Sequence, residues 1–351
     1  MTRFQKFATA ALVSVIILIF VGAIVRVSGA GMGCPDWPKC WGRWVPPTTV
    51  EQVDVTRLPF DKFERAAKRY GRDPSTVTPE HVLESFNPVH TWTEYINRLT
   101  SLPVGFFTVA TLVLALLHQG QRPWVRSAAL LSVLLVGVNA WMGKEVVSSD
   151  LKPGVLTIHM ALAMLLILPL SFVTWRGCER PWSIPVDEPA RRCLRKIIGV
   201  LLLLIFVEGM LGTRIREMTT ELVKTHAGVA RSEWIELLEN TGSYLIHRSF
   251  SWVILAASVL AWWLVRRTGS AGRVANGVLG VILAQMVLGL IMAQVEIHPV
   301  VQVLHLGLSG ILLALTTVWY CGTWRIESPG VSREAAISVN GRPEPPASES
   351  R

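Results

Sequence analysis

Apolar residues in this chain come in long uninterrupted blocks, with polar residues gathered between them and no two-residue alternation. Eight blocks stand out, at about 6–26, 94–118, 125–146, 154–175, 195–214, 244–265, 273–294 and 299–320. Roughly twenty apolar residues cross the hydrocarbon core of a bilayer as one helix. The pattern therefore predicts an all-α polytopic membrane protein with eight transmembrane helices. Between the first two blocks lies a long polar segment, 27–93, in which LPFDKFERAAKRYGRD has the pattern of a short amphipathic surface helix. The last 26 residues, 326–351, are rich in Ser, Pro and Glu without periodicity and read as a disordered tail.

The blocks repeat. GAIVR (22–26) closes the first and GTRIR (212–216) the fifth; INRLTS (96–101) opens the second and IHRSFS (246–251) the sixth. Pro153 precedes His159 by six residues in the fourth, as Pro299 precedes His305 in the eighth. Internal repeats of this kind mark two structural halves in membrane proteins. Two pseudo-symmetric four-helix bundles are expected, at 1–180 and 190–325. With four spans in each, they are parallel repeats that differ mainly in the first outer loop.

Composition agrees: 51% of the 351 residues are hydrophobic and 17% charged, where a soluble chain carries about a quarter charged. The net charge of +9 collects in short loops. Arg3 and Lys6, Arg122 and Arg126, Arg176 to Lys196, and Arg266 to Arg273 fall on one side of the predicted topology. The positive-inside rule makes that side cytoplasmic, with both termini inside a cell inner or plasma membrane and no need of nucleic acid as a partner. No cleavable signal peptide is expected. Cys34 and Cys40 then lie outside, where disulfides persist, and pair either as a staple or as a redox-active couple. Cys178, Cys193 and Cys321 fall on or near the reducing side. Trp92, Trp124, Trp141 and Trp175, at span ends, read as interfacial belts.

Polar landmarks break the apolar blocks at one depth. Asn97, His159, His247 and His305 each fall within the first two turns of a span running from outside to inside. At 1.5 Å per residue, the two histidines lie roughly 9 Å past their prolines. A lone span histidine is as easily a packing residue satisfied by a neighbour's carbonyl. His247 and His305, however, share a depth on alternate helices of one half. Facing helices build cofactor sites, and paired imidazoles are an axial arrangement for haem iron. Zinc requires three or four ligands, and the C-terminal half is read as offering no Cys or carboxylate at that depth. The first half differs: Asn97 replaces a histidine, and Glu94 is added one turn earlier, where the second half has Tyr244. His90, seven residues before Asn97, would lie about 10 Å shallower on a continuous helix. An incomplete ligand set beside a carboxylate suits a haem that is loaded and released. His81, His118, His226 and His298 read as solvated.

Together these segments resemble the heme A synthase family. GAIVRVSGAGMGCPDWPKCWG (22–42), EYINR (94–98), LTIHMALA (156–163), VEGMLGTRIREMT (207–219), LIHR (245–248) and VLHLG (303–307) carry the likeness, which covers residues 8 to 322. It implies haem b held by His247 and His305, and a substrate haem O site involving His159 in the N-terminal half. The implied reaction oxidises the haem O C8 methyl to a formyl group by successive hydroxylations, for cytochrome oxidase assembly. Glu94 matches the family's essential acid. Asn97 departs from the histidine of many members. A subgroup with H-x3-E-x2-N-R resembles this chain and makes His90 the candidate second ligand to the substrate iron. Arg98 and Arg248 follow the ligand positions, and Arg26 and Arg216 end the first and fifth spans; each either snorkels or pairs with haem propionates. The partners implied are a haem O synthase and an electron acceptor outside this chain; homo-oligomerisation is left open. Two other functions fit an eight-span protein with these histidines. A diheme b-type cytochrome in quinol electron transfer would want equal ligand sets, which Asn97 opposes. A haem transporter would not need four polar positions in one layer.

Overall fold

The computed structural model describes residues 1–118, 122–178, 181–226, 228–268, 272–295 and 297–325; the predicted tail at 326–351 lies outside them. The described residues are helical, without named strands. The helices are α1 (Arg3–Val27), α2 (Phe60–Tyr70), α3 (Pro79–Glu84), α4 (Pro88–His118), α5 (Pro123–Ser148), α6 (Pro153–Arg176), α7 (Glu188–Thr225), α8 (Arg231–Glu239), α9 (Gly242–Arg267), α10 (Arg273–Gln294) and α11 (Pro299–Gly322). Among the described residues, seven helices are long and apolar enough to cross a membrane: α1, α4, α5, α6, α9, α10 and α11. The chain is a multi-pass membrane protein. Side chains such as Phe106, Leu117, Trp124 and Trp252 stand exposed on the outer faces of these helices, as a lipid solvent permits.

Local chemistry sets the helix ends. Thr2 and Gln5 form a reciprocal capping box at the start of α1. Proline opens α5, α6 and α11, where its missing N–H costs nothing. Two helices overrun the predicted blocks. α7 contains block 195–214 but runs for 38 residues to Thr225, because REMTTELVKT holds neither Gly nor Pro to stop it. α4 begins at Pro88, so His90 is helical rather than part of the loop.

Four helices pack in a closed circuit, α1 on α4, α4 on α5, α5 on α6 and α6 on α1. A second circuit runs α7 on α9, α9 on α10, α10 on α11 and α11 on α7, and the two meet where α11 lies against α1 and α6. Glycines allow that approach. A Cβ at Gly307 would enter the Phe20 ring, and one at Gly310 would come 3.2 Å from Ile19. Small residues serve helix packing in membranes this way. One apolar core, including Val15, Ile167, Leu170, Ile198, Leu201 and Leu313, spans both circuits. Trp175 is not a belt residue: it is buried, with its Nε1 donating to the Trp182 carbonyl at 2.7 Å and its ring near Phe172 and Trp324.

The segment between α1 and α4 folds on itself. Cys34 and Cys40 are joined as a disulfide, and with Trp41 and Leu58 they form a small core flanked by Phe60, Phe63, Phe86 and Tyr95. The predicted amphipathic stretch is α2, ended by Gly71 at φ 76°, a left-handed position that favours glycine. Tyr70 at its end donates to Glu145 Oε2 on α5 at 2.6 Å, and Arg72 donates to the Ser148 carbonyl at 3.0 Å.

Candidate functional site

His247 on α9 and His305 on α11 face each other, their ring centroids 6.4 Å apart and their planes at 79°. Each ring fits against a glycine of the helix that precedes it. A Cβ at Gly212 on α7 would lie 3.4 Å from His247 Cε1, and one at Gly289 on α10 would lie 3.7 Å from His305 Cε1. The other pair of helices repeats this. A Cβ at Gly143 on α5 would lie 3.4 Å from His159 Cε1, and one at Gly22 on α1 would lie 3.9 Å from Asn97 Oδ1. All four landmarks therefore sit over a glycine notch, which leaves room for a planar ring or amide between closely packed helices.

One turn before each of three notches stands a polar residue, Asn139, Glu208 or Gln285; before the fourth stands Leu18. The backbone carbonyls of Asn139 and Gln285 lie against His159 and His305. Glu208 Oε1 lies 3.1 Å from His247 Nδ1, without the alignment of a full hydrogen bond. This corrects the sequence reading, which found no carboxylate at that depth in the C-terminal half. Glu208 was legible in VEGMLG as a charge inside an apolar block. Its relation to His247, on another helix, was not.

In the N-terminal circuit, Glu94 is buried and its Oε1 accepts from Arg98 Nε at 3.1 Å. The Arg98 guanidinium also donates to the carbonyls of Asp36 (2.7 Å), Lys39 (2.9 Å) and Cys34 (3.0 Å). It thus joins the disulfide loop to the Glu94 carboxylate. Asp36 in turn accepts from the backbone N–H groups of Trp41 and Gly42 at 2.6 and 3.0 Å. Trp41 Nε1 donates to the Gly33 carbonyl at 2.8 Å. Gly33 lies so close to α4 that a Cβ would overlap the His90 carbonyl. The motif GMGCPDWPKCWG is a folded cap on the N-terminal end of α4.

His90 is half-buried on the first turn of α4, roughly 10 Å along the axis from Asn97. Among the described residues the histidine ring contact is that of His247 with His305; His90 and His159 make none. Arg248 is exposed, unlike Arg98. At the junction of the circuits, Arg216 Nη2 donates to the Arg26 carbonyl at 3.3 Å, and the buried Glu217 accepts from Thr157 Oγ1 at 2.7 Å. His81, His118 and His298 are exposed, while His226 is half-buried with Nδ1 3.0 Å from the Leu222 carbonyl.

Two tests of fit favour a haem between His247 and His305. A metal–nitrogen bond of about 2 Å on each side, extended to each ring centre, separates two axial imidazoles by roughly the 6.4 Å observed. The Nδ1 atoms of His159, His247 and His305 are buried without a hydrogen-bond partner. Buried polar atoms left unpaired mark a place where a group that the helices do not themselves supply would sit. Residues 5–317 match the COX15-CtaA family, cytochrome oxidase assembly proteins. The chain belongs to the heme A synthase family. Its relatives include heme A synthases of Shewanella oneidensis, 26% identical over 65% of this chain and 61% of that protein, and of Wolbachia pipientis, 23% identical over 88% and 89%. That of Methylobacterium nodulans is 26% identical over 87% of this chain and 89% of its own length. The chain thus spans about three fifths of the first of these and nearly nine tenths of the other two. The family match covers both circuits.

Proposed function

We propose that this protein is an enzyme that oxidises the C8 methyl of haem O to a formyl group, making haem A. Eight spans in two pseudo-symmetric bundles, residues 1–180 and 190–325, carry it, with both termini cytoplasmic and the haem sites toward the outer face of the cell membrane. The observation that carries the reading is the unequal pair of sites. One circuit brings two histidines together at 6.4 Å; the other has His159 at one glycine notch, Asn97 at the second, and the buried carboxylate of Glu94 one turn before Asn97.

His247 and His305 would hold haem b, which when bound would supply one-electron transfer. His159 holds the iron of the substrate haem, and His90 is the candidate for its second ligand. Asn97 leaves that site without a permanent pair, so substrate and product exchange. Glu94 is placed to accept a proton or offset positive charge as the methyl carbon loses electrons. Arg98 keeps that carboxylate in one rotamer, because its fork is already anchored on three loop carbonyls. Its remaining donor and the exposed Arg248 are available to propionates. Successive hydroxylations and loss of water give the formyl group. A haem O synthase supplies the substrate, and an acceptor outside the chain takes the electrons.

The test is to extract the haems from purified protein and separate them by chromatography. Haem B together with haem O, haem A or a hydroxylated intermediate is expected. Two equivalents of haem B alone would indicate a diheme cytochrome and overturn the reading.

A further inference from the structure

Resting on the haem b reading above, the structure points to one more residue of that site. The two histidines are not equivalent on the side away from the shared space. His305 lies against a neutral backbone carbonyl, that of Gln285. His247 lies 3.1 Å from a carboxylate, that of Glu208. Glu208 is largely enclosed, with side-chain exposure of 15%, and its second oxygen is buried with no hydrogen-bond partner. A carboxylate taken out of water is costly unless it is paired, and the group facing this one is His247. Glu208 also stands one helical turn before Gly212, the glycine that admits the His247 ring. Notch and carboxylate thus act on the same imidazole from one helix face.

We infer that Glu208 is a positioning residue for His247: it takes the Nδ1 proton in a hydrogen bond, turns Nε2 toward iron, and makes His247 the more electron-rich of two unequal axial ligands. Second-shell carboxylates act on metal-bound histidines in this way, and hydrogen bonds behind a ligand shift haem potentials. The sign is determined by charge. A carboxylate behind one ligand stabilises the ferric state, so Glu208 lowers the midpoint potential of haem b. At the corresponding place in the first half stands Leu18, facing the notch of Asn97. Where no permanent histidine needs orienting, there is no carboxylate.

The experiment compares full-length wild type with Glu208→Gln, which keeps size and an acceptor oxygen but removes charge. Glu221→Gln, on the exposed part of the same helix, serves as control. Haem content, low-spin electron paramagnetic resonance and redox titration are read on each. Glu208→Gln is expected to keep its haem, to shift its g-values, and to change the reduction equilibrium at least tenfold. For one electron that is about 59 mV upward. The control should not move. Unchanged potential and g-values in Glu208→Gln with full haem content would overturn the inference. Should Glu208→Gln purify without haem, haemin titration decides: tighter binding by Glu208→Asp retains the inference, and equal binding by the two variants overturns it. Wild type lacking any low-spin haem would bring down the haem b reading itself.

Discussion

Glu94 and Arg98 lie four residues apart on α4, so both point to one helix face. The carboxylate accepts from Nε, while three further N–H groups of the guanidinium go to the carbonyls of Cys34, Asp36 and Lys39. Removing either group has distinct consequences. Glu94→Ala is expected to leave the low-spin haem b spectrum intact and to cut haem A formation by 10²-fold or more, in the range of a lost proton-transfer group. Normal haem A output from that variant would remove Glu94 from the chemistry. Arg98→Ala leaves Glu94 buried without its cation and three carbonyls without a donor, so it should lower both turnover and thermal stability. By contrast, His247→Ala and His305→Ala should each abolish the low-spin spectrum, since neither Asn nor Ala at such a position ligates iron well.

At the scale of elements, the outer loop is held at two places. One is the disulfide-centred cap on α4; the other is the end of α2, where Tyr70 meets Glu145 of α5. The Cys34–Cys40 bond closes a short loop, and its loss is expected to cost about 2 kcal/mol in the loop-entropy account. Cys34→Ser should therefore unfold at lower temperature while keeping the haem b spectrum, because the proposed haem b ligands, His247 and His305, lie in the other circuit. A redox-active pair would instead change turnover without changing stability. The α2 contact responds to pH with a defined sign. Burial and the neighbouring Glu145 carboxylate raise the Tyr70 phenol above its ordinary value near 10. A raised pKa means that the neutral phenol is the bound form, so while Glu145 stays ionised the contact is fully present below pH 10 and is lost as pH climbs beyond it. Absorbance of tyrosinate, followed in wild type and Tyr70→Phe, should show one late-titrating phenol in the former.

Across the whole molecule, the two circuits are joined by close packing and by polar links that include the bond of Thr157 to the buried Glu217. α11 reaches α1 through Gly307 and Gly310, and α6 reaches α7 through Thr157 and Glu217. Gly307→Val would drive a branched side chain into Phe20, and overpacking of this kind costs about 1–3 kcal/mol. Thr157→Val removes the 2.7 Å bond to Glu217, leaving a buried carboxylate oxygen short of a donor, with a loss of roughly 1.5–3 kcal/mol. Both variants should separate the halves, seen as a lower unfolding temperature, with haem b still bound at intermediate temperature.

The sequence by itself determined that the chain is all-α with several membrane-spanning apolar blocks, that its landmark motifs recur along the chain, and the family likeness. These properties follow from composition and from a fixed rise per residue, so they can be read without knowing which helix touches which. The outer amphipathic helix was legible for the same reason, its pattern being local. Tertiary structure alone decided which glycine serves which landmark, that Glu208 backs His247, and that Arg98 grips the cysteine loop as well as Glu94. It also buried Trp175, which by position resembled a belt residue, and carried α7 well past the end of its apolar block. Each of these depends on how helices pack against one another. A partner on another helix leaves no trace in periodicity, because distance across a bundle is set by packing and not by separation along the chain.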